Sequence, residues 1–402
     1  MPWNLRMVIR IFFLVLALYI YFGFRFSDAL SEYTKSTKAK LRTKVFGLLL
    51  LVNIYPLILL FYYLIGNRES LFSYKDHIVW QDYLFTFPFW IGLILIVEIL
   101  PYYLILDVFS LVLRAFKTRY KTNFRKVSSF LRIALPIIFF LFVVTRIYFD
   151  TNHIRNDEIT LQIKNLPVSL NNLTLVLFGD IQVDRFTNGS MLKKVVLTIE
   201  SAKPDLVLFA GDLVTRGEDF IEKGLETLCE IRSPMGTIAC MGDHDYWANP
   251  SRIEAGLNDC GWKFLDNQHR IFDYEDSKIL VTGLTHIYSK RMSRAHIEEI
   301  LSNAPKADLK ILLVHQPAKM IIEAAERDGY DVLFAGHTHG GQVVFKPFAF
   351  SLTPTRFENE HFSGLQKYGN LNVVITNGIG LTLAPIRYRA PAEISEVILV
   401  RE

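Results

Sequence analysis

Four long apolar runs crowd the first 150 residues of this 402-residue chain and none follows, and that asymmetry limits the fold more than any motif does. A helix needs about 20 predominantly apolar residues to cross a hydrocarbon core. Residues 7–24, 44–66, 83–113 and 132–149 meet that condition, which predicts an all-α transmembrane domain of about four helices over residues 1–150 and a second, soluble-type domain over 151–402. The first run reads as a span and not as a secretory leader, because no small-residue cleavage site follows Phe24 and three further runs come after it. The third run is longer than one straight helix requires and contains Pro88 and Pro101, so tilting or kinking is expected. It also carries Glu98 and Asp107. Ionisable residues at membrane depth are functional candidates, weighed here against Asp107 near an interface and Glu98 paired inside the bundle.

Basic residues set the expected orientation. Arg25, Lys35, Lys38, Lys40, Arg42 and Lys44 follow the first run, and Arg114, Lys117, Arg119, Lys121, Arg125 and Lys126 follow the third, so both loops are expected on the cytoplasmic side. The loop between them offers only Arg68 and Lys75. With four spans the second domain is then extracytoplasmic, in a bacterial-type inner or cell membrane, although Arg6 and Arg10 pull the N-terminus the other way. The formal charge of +4 is mild and sits beside the apolar runs, which argues against a nucleic-acid polymer as partner. The three cysteines, Cys229, Cys240 and Cys260, are odd in number and lack CxxC spacing, so buried or free thiols are expected and not a disulfide framework or a zinc knuckle.

Beyond Asp150 the pattern changes to short apolar or alternating runs separated by helical stretches. Strands are predicted at 158–164, 173–179, 206–210, 236–241, 279–284, 310–314, 331–335, 342–346, 372–376 and 394–400. Helices are predicted at 190–202, 218–231, 251–260, 293–303 and 317–328. Five of the strands run directly into clusters of Asp, His or Gly: Gly179-Asp180-Ile181-Gln182, Gly211-Asp212, Gly242-Asp243-His244-Asp245, Val314-His315 and Gly336-His337-Thr338-His339-Gly340-Gly341-Gln342. Ligands in α/β sheets sit at the carboxyl ends of strands, so these clusters can converge.

In order and spacing the clusters resemble the signature of calcineurin-like metallophosphoesterases: DxH, GD, GNH(D/E), a lone His after a strand, and GHxH. The resemblance covers essentially residues 158–402 and implies an α/β fold, a four-layer αββα sandwich. The tail, Asn377-Gly378-Ile379-Gly380-Leu381 with Pro385-Ile386-Arg387 and Pro391-Ala392-Glu393-Ile394, is similar to a membrane-associated phosphodiesterase branch that includes UDP-2,3-diacylglucosamine pyrophosphatase-type enzymes. The family pattern implies two divalent cations bridged by Asp212, one also held by Asp180, Gln182 and His339 and the other by Asp243, His315 and His337. Two such cations lie about 3.5–4 Å apart and need a shared carboxylate to relieve their repulsion. His244 matches the catalytic histidine, which contacts the scissile phosphate and protonates the leaving oxygen. The implied nucleophile is hydroxide on a metal.

Gln182 stands where the pattern has His, and Asp243 where it has Asn. Both keep an oxygen donor, so the site is more oxygen-rich and Mn²⁺ is favoured, with Mg²⁺, Fe²⁺ or Zn²⁺ as alternatives. Gly340 and Gly341 read as backbone support for a close approach or a sharp turn. Arg185, Arg387 and Arg389 are candidate substrate-phosphate contacts, with an ordinary salt bridge equally open for Arg387 and Arg389; Asp184 is a cleft-lining candidate. His269, His286, His296 and His361 match no ligand position and read as surface or hydrogen-bonded residues. The expected function is membrane-anchored hydrolysis of a phosphodiester or pyrophosphate bond in a lipid-linked or nucleotide-containing substrate, with Phe345 to Phe350 as an interfacial segment. The alternatives are a catalytically weak or inactive metal-binding sensor of a phosphorylated ligand, and a transporter in which the second domain is accessory.

Overall fold

The computed structural model describes residues 3–66, 77–116, 121–347 and 350–402. Arg68, Lys75, Lys117, Arg119 and Phe348, which bear on the expectations above, lie outside the described residues. The chain divides into two units: Met1–Tyr148 with Phe345–Ser351 and Leu383–Ile386, and Phe149–Val344 with Leu352–Thr382 and Arg387–Glu402.

The first unit is helical: α1 (Trp3–Leu30), α2 (Lys38–Val52), α3 (Tyr55–Leu64), α4 (Phe87–Ala115) and α5 (Lys121–Asn152). Among the described residues three helices are long and apolar enough to cross a membrane, Leu5–Leu30, Asp82–Ala115 and Asn123–Asn152. The expected second span, 44–66, is instead α2 and α3 meeting at a 55° bend, so the count reaches four only if this broken pair is one span. The break falls at Asn53 and Ile54, with a proline in the first turn of α3 that cannot donate to the preceding turn. Large apolar side chains such as Phe13, Leu14, Leu48, Phe109 and Leu141 face outward, as expected where the surroundings are lipid. Asp107 is ion-paired to Arg25 (2.7 Å) and Arg132 (2.5 Å) and accepts from the Tyr21 hydroxyl (2.7 Å), joining α1, α4 and α5. Glu98 lies half-buried on α4.

The second unit runs β1 (Arg155–Ile163), β2 (Thr174–Phe178), α6 (Ser190–Ala202), β3 (Leu206–Phe209), α7 (Ile221–Glu230), β4 (Thr237–Ala239), α8 (Asp243–Ala248), α9 (Pro250–Asp259), β5 (Lys263–Phe264), β6 (Gln268–Tyr274), β7 (Ser277–Leu284), α10 (Arg294–Ser302), β8 (Leu309–Val314), α11 (Lys319–Arg327), β9 (Val332–Ala335), β10 (Gly364–Tyr368), β11 (Leu371–Ile375) and β12 (Glu393–Arg401). Two six-stranded sheets result, in the orders β1-β12-β2-β3-β4-β5 and β10-β11-β9-β8-β7-β6. Successive side chains on a strand face opposite ways, and the core divides accordingly. Leu175, Leu177 and Leu208 of the first sheet meet Val281, Ile311 and Leu313 of the second between the sheets. Val176, Phe178 and Phe209 face the other way, onto α6, α7 and α9. Leu312 and Leu333 pack on α10 and α11. The architecture is the expected αββα sandwich preceded by apolar helices.

Three strands were not foreseen. β6 and β10 are edge strands with half-polar, partly exposed sequences, and β5 is only two residues long, so none presents the apolar run that marks a buried strand. Residues 342–346 are not a strand; Val343 makes a single bridge to Tyr388. Gly340, Gly341 and Gln342 are in left-handed conformations there and turn the chain out of extended geometry. The cysteine expectation fails in part: Cys229 at the end of α7 and Cys260 after α9 form a disulfide, and Cys240 alone is free and buried. The pair is brought together by the packing of α7 on α9, which sequence spacing does not record.

Candidate metal centre

Parallel pairing of β2 with β3 and β4, and of β7 with β8 and β9, brings the carboxyl ends of the paired strands to one edge of each sheet. Asp180 follows β2, Asp212 follows β3, Asp243 opens α8 after β4, His315 follows β8, and His337 and His339 follow β9. The backbone must turn sharply at each strand end to aim these side chains. Asp180, Gln182, Asp212, His337 and His339 have φ between 48° and 71°. Such left-handed conformations cost non-glycine residues about 1–3 kcal/mol each and cluster at functional sites. Neighbouring backbone fixes them: the Asp180 amide donates to Gly211 O (2.8 Å) and the Gln182 amide to Asp212 O (3.0 Å). Gly242 is required by contact, because a Cβ there would lie 2.2 Å from Asp212 Oδ1. The same holds for Gly340, where it would lie 2.1 Å from Asn377 Oδ1.

The donor atoms form one continuous group. Asp243, His315 and His337 make one potential metal-holding triad and Asp180, Asp212 and His315 another, the ligand atoms of each within 4.8 Å of one another. His315 Nε2 is 3.4 Å from both Asp212 Oδ2 and Asp243 Oδ2. His337 Nδ1 is 3.1 Å from Asp243 Oδ2, and His339 Nε2 is 3.4 Å from Asp180 Oδ1. Gln182 Nε2 donates to Asp212 Oδ2 (2.7 Å). All seven expected donors are therefore brought together, with His315 joining the two carboxylate groups.

Burial sets the electrostatics. It lifts the fully enclosed Asp180 carboxyl to about 6. Burial also works upward on Asp212, but His315 and His244 beside it hold it at about 2. For Asp243 the same opposition, with hydrogen bonds from His315 and His337, leaves the carboxyl well below the usual range. On the histidines burial disfavours charge, yet the facing carboxylates raise His315 well above its ordinary value and His337 to about 9. His339 goes the other way, held neutral by burial and by Arg387.

The donors fit a pair of divalent cations. Three carboxylates buried this closely need compensating positive charge, which a pair of divalent cations would supply. Gln182 Oε1 is completely buried with no hydrogen-bond partner, an orphan that normally costs about 1–3 kcal/mol and that a cation would satisfy. His315 Nδ1 donates to Ala210 O (2.7 Å), which leaves Nε2 as the ligating nitrogen, the usual outer support of a metal-bound imidazole.

His244 lies half-buried at the start of α8, its amide donating to Asp212 Oδ1 (2.8 Å) and its Nδ1 hydrogen-bonded to Thr215 O. With Nδ1 so engaged, Nε2 is the nitrogen that can give or take a proton. Arg387, expected as a possible phosphate contact, is instead fully enclosed. Its guanidinium donates to the carbonyls of His339, Asn377, Gly380 and Ala390. Asp184 staples its own loop, accepting from the Phe186 and Thr187 amides and the Thr215 hydroxyl, and Arg185 stacks 4.6 Å from the Phe186 ring centroid. His269 bonds Thr282 and His286 accepts from the Met292 amide, as non-ligand histidines should.

Four supporting residues were not assigned from sequence. Asp245 accepts the amides of Asp212, Leu213 and Gly242 (2.7–3.1 Å), tying the second and third clusters together. Gln316 Nε2 and the Tyr288 amide donate to the two oxygens of Asp243 (2.6 and 2.7 Å). Glu358 lies 3.6 Å from His337 Nε2. Only Asp245, a member of the third cluster, and Gln316, next to His315, carried a signal.

The sequence profile for calcineurin-like phosphoesterases matches residues 173–341. An uncharacterized metallophosphoesterase of Bacillus subtilis, YkuE, is 26% identical over 254 residues, covering 62% of this chain and 86% of that protein. A Danio rerio transmembrane protein with a metallophosphoesterase domain is 27% identical over 254 residues, covering 60% of this chain and 56% of that protein. The Bacillus subtilis protein YpbG is 30% identical over 230 residues, 56% of this chain and 81% of its own length.

Proposed function

Because the chain belongs to the calcineurin-like phosphoesterase family and is a metal-dependent phosphoesterase, we propose that it hydrolyses a phosphodiester or pyrophosphate bond in a lipid-linked or nucleotide-containing substrate at a membrane. The observation that carries this reading is the gathering of seven candidate donors at five strand ends, among them a buried Gln182 oxygen with no hydrogen-bond partner. Asp180, Gln182 and His339 would hold one cation, Asp243, His315 and His337 the other, with Asp212 between. When bound, the pair supplies a nucleophilic water at neutral pH and positive charge toward the phosphoryl oxygens. Asp243 and Gln182 in place of an amide and an imidazole support manganese or magnesium over zinc.

His244 acts on the leaving group. Its ring is fixed by Thr215 O and its backbone by Asp212, so Nε2 can hold a proton and deliver it to the departing oxygen. The apolar helices support tethering, which concentrates an amphiphilic substrate near the site. The tail motifs resemble those of UDP-2,3-diacylglucosamine pyrophosphatase-type enzymes, which favours a nucleotide-linked lipid. The Cys229–Cys260 disulfide supports an extracytoplasmic catalytic domain, because such bonds persist where the surroundings are oxidising.

Purified protein supplied with manganese is expected to cleave a chromogenic phosphodiester. His244→Ala should abolish turnover while metal content stays at the parent level. Saturable ligand binding with no product from the parent protein would instead favour the sensor reading, and full turnover in His244→Ala would defeat the role given to that residue.

A further inference from the structure

His337 has two faces. Its Nδ1 looks into the donor group, 3.1 Å from Asp243 Oδ2 and 3.3 Å from His315 Nε2. Its Nε2 looks away from that group, toward Glu358 Oε1 at 3.6 Å and the Tyr288 hydroxyl at 3.4 Å. Tyr288 also donates its hydroxyl to Glu358, sets its ring edge-on to the imidazole with centroids 5.4 Å apart, and donates its amide to Asp243 Oδ1. One carboxylate and one phenol thus face the outer nitrogen of a candidate ligand whose inner nitrogen faces the cations' place.

The segment that brings Glu358 there is tied at both ends to the His337–Gly341 stretch. Residues 353–362 leave and rejoin the His337–Gly341 stretch at two points: Thr353 Oγ1 donates to Gly341 O (2.8 Å) and Thr338 Oγ1 donates to Phe362 O (2.7 Å). Between these ties a short 3-10 turn, Pro354–Phe357, ends at Glu358. The turn contributes no buried residue to the core, and Phe357 is 97% exposed. The turn itself therefore adds nothing to the core, and Glu358 at its end meets His337.

We propose that Glu358 is a positioning residue: it holds His337, with Tyr288 between them, so that Nδ1 is kept aimed at the metal pair and made a better donor. The proposal rests on the two-metal reading above. A metal-ligating histidine commonly donates its second N–H to a carboxylate, and removal of that partner typically lowers metal affinity about 10- to 100-fold. Glu358 is half-exposed, so its pair with His337 is screened and adds little to folding itself. Retention of metal and not stability of the chain is what should change.

The test titrates metal-free full-length protein in detergent with manganese chloride alone, following free Mn²⁺ by electron paramagnetic resonance, and measures melting of the metal-free form alongside. Glu358→Ala should weaken binding of one Mn²⁺ about 10- to 100-fold with the metal-free melting temperature unchanged. Glu358→Gln, which keeps an acceptor but no charge, should fall between, and Glu360→Ala on the same strap should match the parent. Parent-like Mn²⁺ affinity in Glu358→Ala overturns the proposal, as does a loss matched by an equal fall in the melting temperature of the metal-free form, which marks a structural role. If the parent itself binds no Mn²⁺, the two-metal reading fails first and the proposal falls with it.

Discussion

Replacing Arg387 by methionine separates two readings of the same residue. The guanidinium donates to four carbonyl oxygens, those of His339, Asn377, Gly380 and Ala390, at 2.8–3.2 Å, and its own amide is held by Thr151 Oγ1 (2.9 Å). Burial lowers its pKa only to about 10, so it stays charged at neutral pH. Methionine fills much of the volume but leaves the carbonyls of Asn377, Gly380 and Ala390 without a donor, while His339 O keeps the Gln342 amide (2.9 Å). Each orphan costs about 1–3 kcal/mol, and relaxation and water entry keep the sum near the about 3–5 kcal/mol typical of breaking a buried charged network. For a domain of this size that corresponds to a fall in melting temperature of roughly 6–20 °C. Scanning fluorimetry on metal-free protein reads it directly. Arg387→Lys should lose less, since one ammonium serves some of the four carbonyls. A melting point within about 2 °C of the parent, together with a raised KM, would refute this reasoning and restore Arg387 as a substrate contact.

Three other perturbations test separate parts of the structure. Gln182→His should raise zinc-supported turnover relative to manganese, because imidazole suits zinc better than an amide oxygen does; an unchanged ratio in metal-stripped protein would remove the donor argument. Cys229→Ser opens a disulfide spanning 31 residues and should cost about 3–4 kcal/mol, read as a fall in melting temperature that the parent shows only under reductant; alkylation of Cys229 and Cys260 in unreduced parent protein would contradict the bond. Glu393 is raised from 4.5 to about 7 by burial, so it folds most favourably when neutral. Its contribution is intact below pH 4.5 and is lost as pH rises through 7, by about 3 kcal/mol. Glu393→Gln should therefore show a flatter dependence of melting temperature on pH over that window than the parent, and parallel curves would contradict the shift.

The clusters that hold the candidate donors were legible because each follows an apolar run, whereas the ligand role of the single residues came from the family resemblance. The buried strands β2, β3, β8 and β9 were legible for the same reason: both faces are covered, so their sequences are continuous apolar stretches. β6 and β10 lie at sheet edges, where one side is solvated, and their sequences are too polar to stand out. The disulfide was invisible because Cys229 and Cys260 meet only through the packing of α7 on α9. Arg387 was left open between a phosphate contact and a salt bridge, because its enclosure by backbone carbonyls depends on segments that sequence does not bring together. Glu358 carried no signal: it reaches His337 through a strap whose two ties are hydrogen bonds between residues 12 and 24 positions apart, a spacing no motif marks.

A common physical reason underlies these misses. A metal centre requires donors that are buried, charged and aimed against the ordinary direction of the backbone, and each of those conditions opposes folding. Five of the seven candidate donors here hold left-handed φ values, and the three carboxylates among them are almost completely buried. The opposing forces come from residues outside the donor set. Asp245 pins the amides of Asp212 and Leu213, Arg387 gathers the carbonyls around His339, and Gly242 makes room for Asp212. Donor chemistry is written in residue types at strand ends, where a sequence displays it. The restraint on that chemistry is written in backbone contacts between distant segments, so substitutions there should damage the centre while leaving its motif intact.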